Sequence, residues 1–239
     1  MKIDTANMKA AELNDKILPL KGEVQLENCL GQRFIGAGQS GKTIVINGVP
    51  GNALGAYLDG ATIIVNGNAQ DATGDTMNCG KIIVYGSSGD ATGYAMRGGE
   101  MYIKNNVGYR AGIHMKAYAE KTPVIVVGGK CGSFLGEYQA GGLIVVLGIG
   151  YNDNEVLGEF CGTGMHGGKI VIRADHLACK FPKQINVREA TPEDLSQIAP
   201  YIKTFSKLFD EDEKAVYKKG FYVLTPNTTS PYKQLYVQN

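Results

Sequence analysis

The sequence predicts an all-β protein: a parallel β-helix of about seven coils, with a short N-terminal helical cap and a C-terminal helix plus extended arm. Three observations carry this. A four-residue apolar run recurs from Ile44 to Ala174, glycines recur at fixed places between the runs, and no repeat unit holds an apolar-periodic stretch long enough for a helix. A fixed period of this length marks a solenoid.

The copies are Ile44-Val-Ile-Asn-Gly48, Ile63-Ile-Val-Asn-Gly67, Ile82-Ile-Val-Tyr-Gly86, Met101-Tyr-Ile-Lys-Asn105, Val124-Ile-Val-Val-Gly128, Ile144-Val-Val-Leu-Gly148 and Ile170-Val-Ile-Arg-Ala174. The first three steps are 19 residues and the later ones 23, 20 and 26. The runs are short and rich in Val and Ile, which suits strands. A second glycine holds its place: Gly55, Gly74, Gly93, Gly112, Gly136 and Gly158. A third mark precedes the next run at Gly60, Cys79-Gly80, Gly98-Gly99, Gly141-Gly142 and Gly167-Gly168. Turns of about 19 residues with two or three glycine corners fit stacked strands joined by tight bends.

Alternation sorts each strand into two rows. Ile44/Ile46, Ile63/Val65, Ile82/Val84, Met101/Ile103, Val124/Val126, Ile144/Val146 and Ile170/Ile172 are expected to point inward. The outward row holds Asn47, Asn66, Tyr85, Lys104 and Arg173, and also Val45, Ile64, Ile83, Tyr102, Ile125, Val145 and Val171. Those last seven, stacked about 4.8 Å apart, form an apolar stripe about 30 Å long. Such a stripe calls for a cover.

Before the repeats, residues 1–30 form the cap: a short helix over roughly Ala6–Asn14, then Val24-Gln-Leu26 as a degenerate early strand. Residues 31–179 form the β-helix. His114–Pro123 and Gly150–Gly164 lengthen two turns and should emerge as loops beside the stack. Residues 180–239 form the C-terminal part. Thr191-Pro-Glu-Asp194 is a helix start, with Thr as N-cap, Pro at the first position and acids in the first turn. Leu195, Ile198, Ile202, Phe205 and Phe209 then share one face. Eighteen residues of helix span about 27 Å, so this helix is one candidate cover and a partner protein the other. Phe221–Asn239, with Pro226, Pro231 and three tyrosines, reads as an extended arm.

The chain has 239 residues and a net charge of +1, which argues against a polyanion or nucleic-acid partner. Its N-terminus is polar, without a signal-peptide or membrane-spanning pattern. Five cysteines, an odd number and widely spread, point to reduced thiols and the cytoplasm.

Four constellations could carry chemistry. Asn52, Asp71 and Asp90 precede the corner glycine in consecutive coils; stacked carboxylates could hold a cation, but Asx side chains capping their own turns is the favoured reading. Cys161, His166, His176 and Cys179 could hold zinc, although their spacing matches no standard finger and packing is favoured. Cys79 stands in a glycine slot as a small buried residue. Gly36–Thr43 satisfies the P-loop spacing, but a strand follows where a phosphate site needs a helix. The outward row also lacks the grouped acids of glycan-cleaving β-helices. No catalytic, cofactor-binding or metal residue is therefore assigned.

The segments GDATGYAMRGGEMYI and GEFCGTGMHGGKIVI resemble the GXGXG domain at the C-terminus of the glutamate synthase large subunit, over about residues 24–174. Related domains occur in one of the subunits of formylmethanofuran dehydrogenase and in an N-methylglutamate synthase subunit. The resemblance implies a right-handed β-helix and a stand-alone, non-catalytic subunit. It would position glutaminase-type and FMN-dependent synthase subunits, with FMN and an iron–sulfur cluster on those partners and no cofactor on this chain. The alternatives are the same scaffold in another complex, such as one like formylmethanofuran dehydrogenase, and a zinc-binding protein. Self-association through exposed coil ends is also open.

Overall fold

The computed structural model describes residues 1–227. The elements in chain order are β1 (Lys2–Asp4), α1 (Ala10–Ile17), β2 (Gly22–Leu30), β3 (Lys42–Val49), β4 (Asp59–Asn66), β5 (Cys79–Val84), β6 (Glu100–Ile103), β7 (Val124–Val127), β8 (Ala140–Val146), β9 (Gly167–Arg173), β10 (Ile185–Glu189), α2 (Pro192–Phe209), α3 (Glu213–Val216) and β11 (Phe221–Pro226). Strands β1 to β9 pair in sequence order, all parallel. This is a parallel β-solenoid with a helical C-terminal part. A second wall is stitched by parallel bridges linking Ser88, Val107, Cys131 and Leu157.

The cap differs from its expected form. The helix lies at Ala10–Ile17, about one turn later than expected, burying Leu13 and Ile17 on the first coil. The supposed degenerate strand is β2, a nine-residue member of the ladder, with Val24 and Leu26 opposite Ile44 and Ile46.

The inward row is as expected in six copies and reversed in one. Ile125 and Val127 belong to the interior cluster, and Val124 and Val126 face outward. Ile125 pairs with Met101 and with Ile144, so the steps are 24 and then 19 rather than 23 and 20. Alternation cannot decide parity in a run of four apolar residues when both faces are covered.

The corner glycines lie at Gly55, Gly74, Gly93, Gly112 and Gly136 as expected, but the last is Gly162, not Gly158. Gly162 N donates to Leu135 O at 2.8 Å, as Gly136 N does to Ala111 O. Gly158 N donates instead to Cys131 O, four residues earlier in the turn. Gly93 shows why the position excludes side chains. Its φ is +72°, and a Cβ there would lie 2.4 Å from Ile125 Cδ1.

The outward stripe is covered by the chain itself. Helix α2 buries Ile198, Ile202, Phe205 and Phe209 against Ile83, Tyr102, Val124, Val126, Val145 and Val171. Each buried side chain of this size contributes about 1.5–3 kcal/mol. The cover stops short of the first coils, where Val45 and Ile64 remain half-buried. Leading into the helix, Thr191 and Asp194 form a reciprocal capping box. Within the described residues the arm forms β11, which lies between β9 and β10, antiparallel to both. Beyond Asn227, the expected arm with two of its tyrosines lies outside the described residues.

Candidate interaction surfaces

The P-loop-like segment is structural. Gly36 and Gly38 are corner residues, and Lys42 is buried on β3 with Nζ donating 3.0 Å bonds to the carbonyls of Ile17 and Leu18. A cation thus caps the C-terminus of α1. Burial lowers the Lys42 pKa.

Of the stacked Asx residues, Asp71 and Asp90 bind the next coil, not their own turns. Asp71 Oδ1 accepts from Asp90 N at 2.9 Å, and Asp90 Oδ1 from Tyr109 N at 2.8 Å. Asn106 Oδ1 accepts from Lys130 N in the same manner. These oxygens satisfy amides that the corner leaves without a strand partner.

Cys161, His166, His176 and Cys179, the zinc alternative, are not gathered into a ligand set. Cys161 is buried in the core, His166 holds Nδ1 3.1 Å from Gly164 O, and His176 is exposed. Among the described residues, no three His, Cys, Asp or Glu side chains are placed to hold a metal ion. Burial pushes the Cys29 thiol up to about 11 and raises Cys131, Cys161 and Cys179 as well. Reactive and metal-ligating thiols require the opposite shift. Cys79, expected to be buried, is exposed at the start of β5.

The two insertions serve the solenoid's flanks. In the first, Ala117 closes over Gly141 and Pro123 over Gly142, and Tyr118 stands exposed at the turn. In the second, a short 3₁₀ turn presents Asp153, which accepts from Asp175 N, His176 N and Lys219 Nζ at 2.8, 3.0 and 2.6 Å. This ties the C-terminal part to the last coil. These bonds hold the Asp153 carboxyl below its usual range, the Lys219 bond most strongly. A neighbouring cleft of about 320 Å³ contains Arg173. Its guanidinium is engaged with the carbonyls of Val216, Leu147 and Ala215.

One surface went unrecognised in the sequence. The residues two before and two after each corner glycine also adopt left-handed backbone. Six of these are aromatic and at least partly exposed: Phe34 (φ 60°), Tyr57 (φ 56°), His114 (φ 55°), Phe134 (φ 64°), Tyr138 (φ 53°) and Phe160 (φ 61°), of which the last four form two stacked pairs. Phe134 and Phe160 stack with centroids 5.0 Å apart, and His114 stacks on Tyr138 at 5.2 Å. The signal was their distance from the corner glycine, hidden in the last coil by taking Gly158 for the corner.

A parallel solenoid with glycine corners, a filled apolar interior and a helix-covered outer face defines the class. The GXGXG motif family matches residues 22–226, and the chain belongs to that family. The uncharacterized protein MJ1350 of Methanocaldococcus jannaschii is 45% identical over 248 residues, covering 98% of this chain and 95% of that protein. A chain from the crystal structure of the formyltransferase/hydrolase complex (FhcABCD) of Methylorubrum extorquens with methylofuran shares the fold. It matches with a TM-score of 0.63 and 19% identity, over 91% of this chain and 88% of that one. Among the described residues, no helix is long and apolar enough to cross a membrane.

Proposed function

We propose that this chain is a non-catalytic scaffold subunit of a cytoplasmic, glutamate-synthase-like complex. It positions a glutaminase-type subunit and an FMN-dependent synthase subunit for glutamate formation from glutamine and 2-oxoglutarate. Family membership combined with the use made of the interior carries the reading. The inward strand positions from β2 to β9 are filled with apolar side chains, and the buried thiols are held protonated. The redox chemistry of such a complex would fall to FMN and an iron–sulfur cluster on the partners.

A second reading keeps the scaffold and changes the assembly. The shared fold with a chain of the formyltransferase/hydrolase complex favours it. Co-expression separates the two. Copurification of this chain with both glutamate-synthase-type subunits, and loss of glutamine-dependent glutamate formation when it is omitted, supports the first reading. Full activity of the two subunits without it sinks that reading. Stable assembly with formyltransferase/hydrolase-type subunits instead supports the second.

A further inference from the structure

The left-handed aromatic residues at the corners do nothing the turn requires. The same backbone positions are filled by Gly38 and Gly164 at the two ends of one row, and by Ala53, Ala72 and Ala91 in the other. For a bulky residue a positive φ is a genuine outlier, and local strain of this kind gathers at sites with a function. Here it accompanies exposure rather than burial. Phe160 is 52% exposed and Tyr138 36%. The rings are pre-ordered by stacking, so a partner would find them already fixed.

Arg110 lies over the Phe134 ring and is paired with Glu137, whereas two further cations stand two residues beyond the row that holds His114: Lys116 after His114 itself and Arg97 after Ala95. Lys116 N donates to Met96 O, which places Lys116 beside Arg97 on the next coil. The two residues lie in register on adjacent coils, their backbones about 5 Å apart, and both side chains are exposed. Neither takes part in an ion pair among the described residues. Aromatic and arginine side chains are also the types that dominate binding hot spots. The outer sheet face from β5 to β9, by contrast, is occupied by α2.

We infer that the corner surface of the last three coils, centred on His114, Phe134, Tyr138 and Phe160 and flanked by Arg97 and Lys116, is the docking site for a partner subunit. That subunit presents carboxylates around an apolar centre. This rests on the scaffold reading and assigns the contact to one side of the solenoid. The rings fill the apolar centre of the interface, and the two cations meet the carboxylates and set its salt dependence.

The test uses the full chain with purified glutaminase-type and FMN-dependent synthase subunits, by titration calorimetry at two salt concentrations. The variants are F134G/F160G and R97E/K116E, with K203E/K207E on the far side of α2 as control. Both corner variants should weaken binding of one subunit at least tenfold, and the control should leave it unchanged. Because glycine relieves the backbone strain, F134G/F160G should retain or raise its melting temperature. A structural role for the rings would lower it. Wild-type-like affinity in both corner variants overturns the docking surface and leaves the scaffold reading standing. Failure of wild type to bind either subunit overturns both. Should sedimentation show that wild type self-associates and the corner variants do not, the occupant is a second copy and the subunit assignment fails.

Discussion

The attachment of α2 depends on one carboxylate. Asp194 is 3% exposed. Its Oδ1 accepts from Lys169 Nζ of β9 at 2.7 Å, and its Oδ2 from Arg188 Nη1 of β10 at 2.6 Å. Oδ2 also accepts from Thr191 N at 3.0 Å and Thr191 Oγ1 at 2.9 Å. One side chain therefore caps the helix and ties it to two strands. D194N keeps the shape and removes the charge. Hydrogen bonds to charged groups contribute about 1.5–3 kcal/mol each. Lys169 and Arg188 have side chains 24% and 48% exposed, so they rehydrate in the variant. The net loss is then about 2–3 kcal/mol rather than the sum, or about 4–12 °C in melting temperature for a chain of this size.

The pH dependence separates this from a generic packing defect. The Arg188 guanidinium, then Lys169 and the Thr191 groups, hold the Asp194 carboxyl far below the usual carboxylate range. A depressed folded-state pKa adds stability that is complete above the unfolded value, about 3.9, and is lost as pH falls below it. Urea unfolding followed by circular dichroism suits a chain without tryptophan. The gap between wild type and D194N should be full from pH 7 to about 5 and should narrow progressively below about pH 4, by about 1.4 kcal/mol per pH unit. A gap below about 0.5 kcal/mol at pH 7, or one unchanged at pH 3, would refute the electrostatic account.

Other substitutions probe the solenoid. G93A places a Cβ 2.4 Å from Ile125 Cδ1 at a φ of +72°, so backbone strain and overpacking together should cost about 2–4 kcal/mol in the same assay. G38A has the same backbone sign but open space around it, and should cost only about 1–2 kcal/mol. F205A empties a fully buried position under α2 and should cost about 3–5 kcal/mol. Under native conditions a thiol reagent should modify exposed Cys79 readily, while Cys29, Cys131 and Cys161 should react only after unfolding.

The repeat made the solenoid legible because each coil solves the same packing problem with the same residue types. Where sequence reading failed, two solutions were locally equivalent. In Val124–Val127 all four residues are buried, so alternation carried no information and the inserted turn shifted the count by one. In the last coil, Gly158 and Gly162 both mark bends, and only the amide partners distinguish them. Strand β10 was missed because it is an edge strand with little of its surface buried. Asp71 and Asp90 were assigned to their own turns because a sequence displays neighbours along the chain. Their actual partners lie 19 residues on, across the coil.

The misread strand also contained the position of the cover. Strands β3 and β4 alternate, with Asn47 and Asn66 bonded to each other at 2.7 Å on the outer face. Strand β7 is apolar on both faces, and Phe205 Cζ comes within 2.5 Å of where a Cβ on Gly128 would sit. A strand apolar on both sides needs two covers, and the solenoid interior supplies only one. Loss of alternation in β7 and its return toward the N-terminus therefore mark where α2 lies and where it stops. A partner that binds this chain must engage what α2 leaves open, which is the outer face of the first coils and the corners.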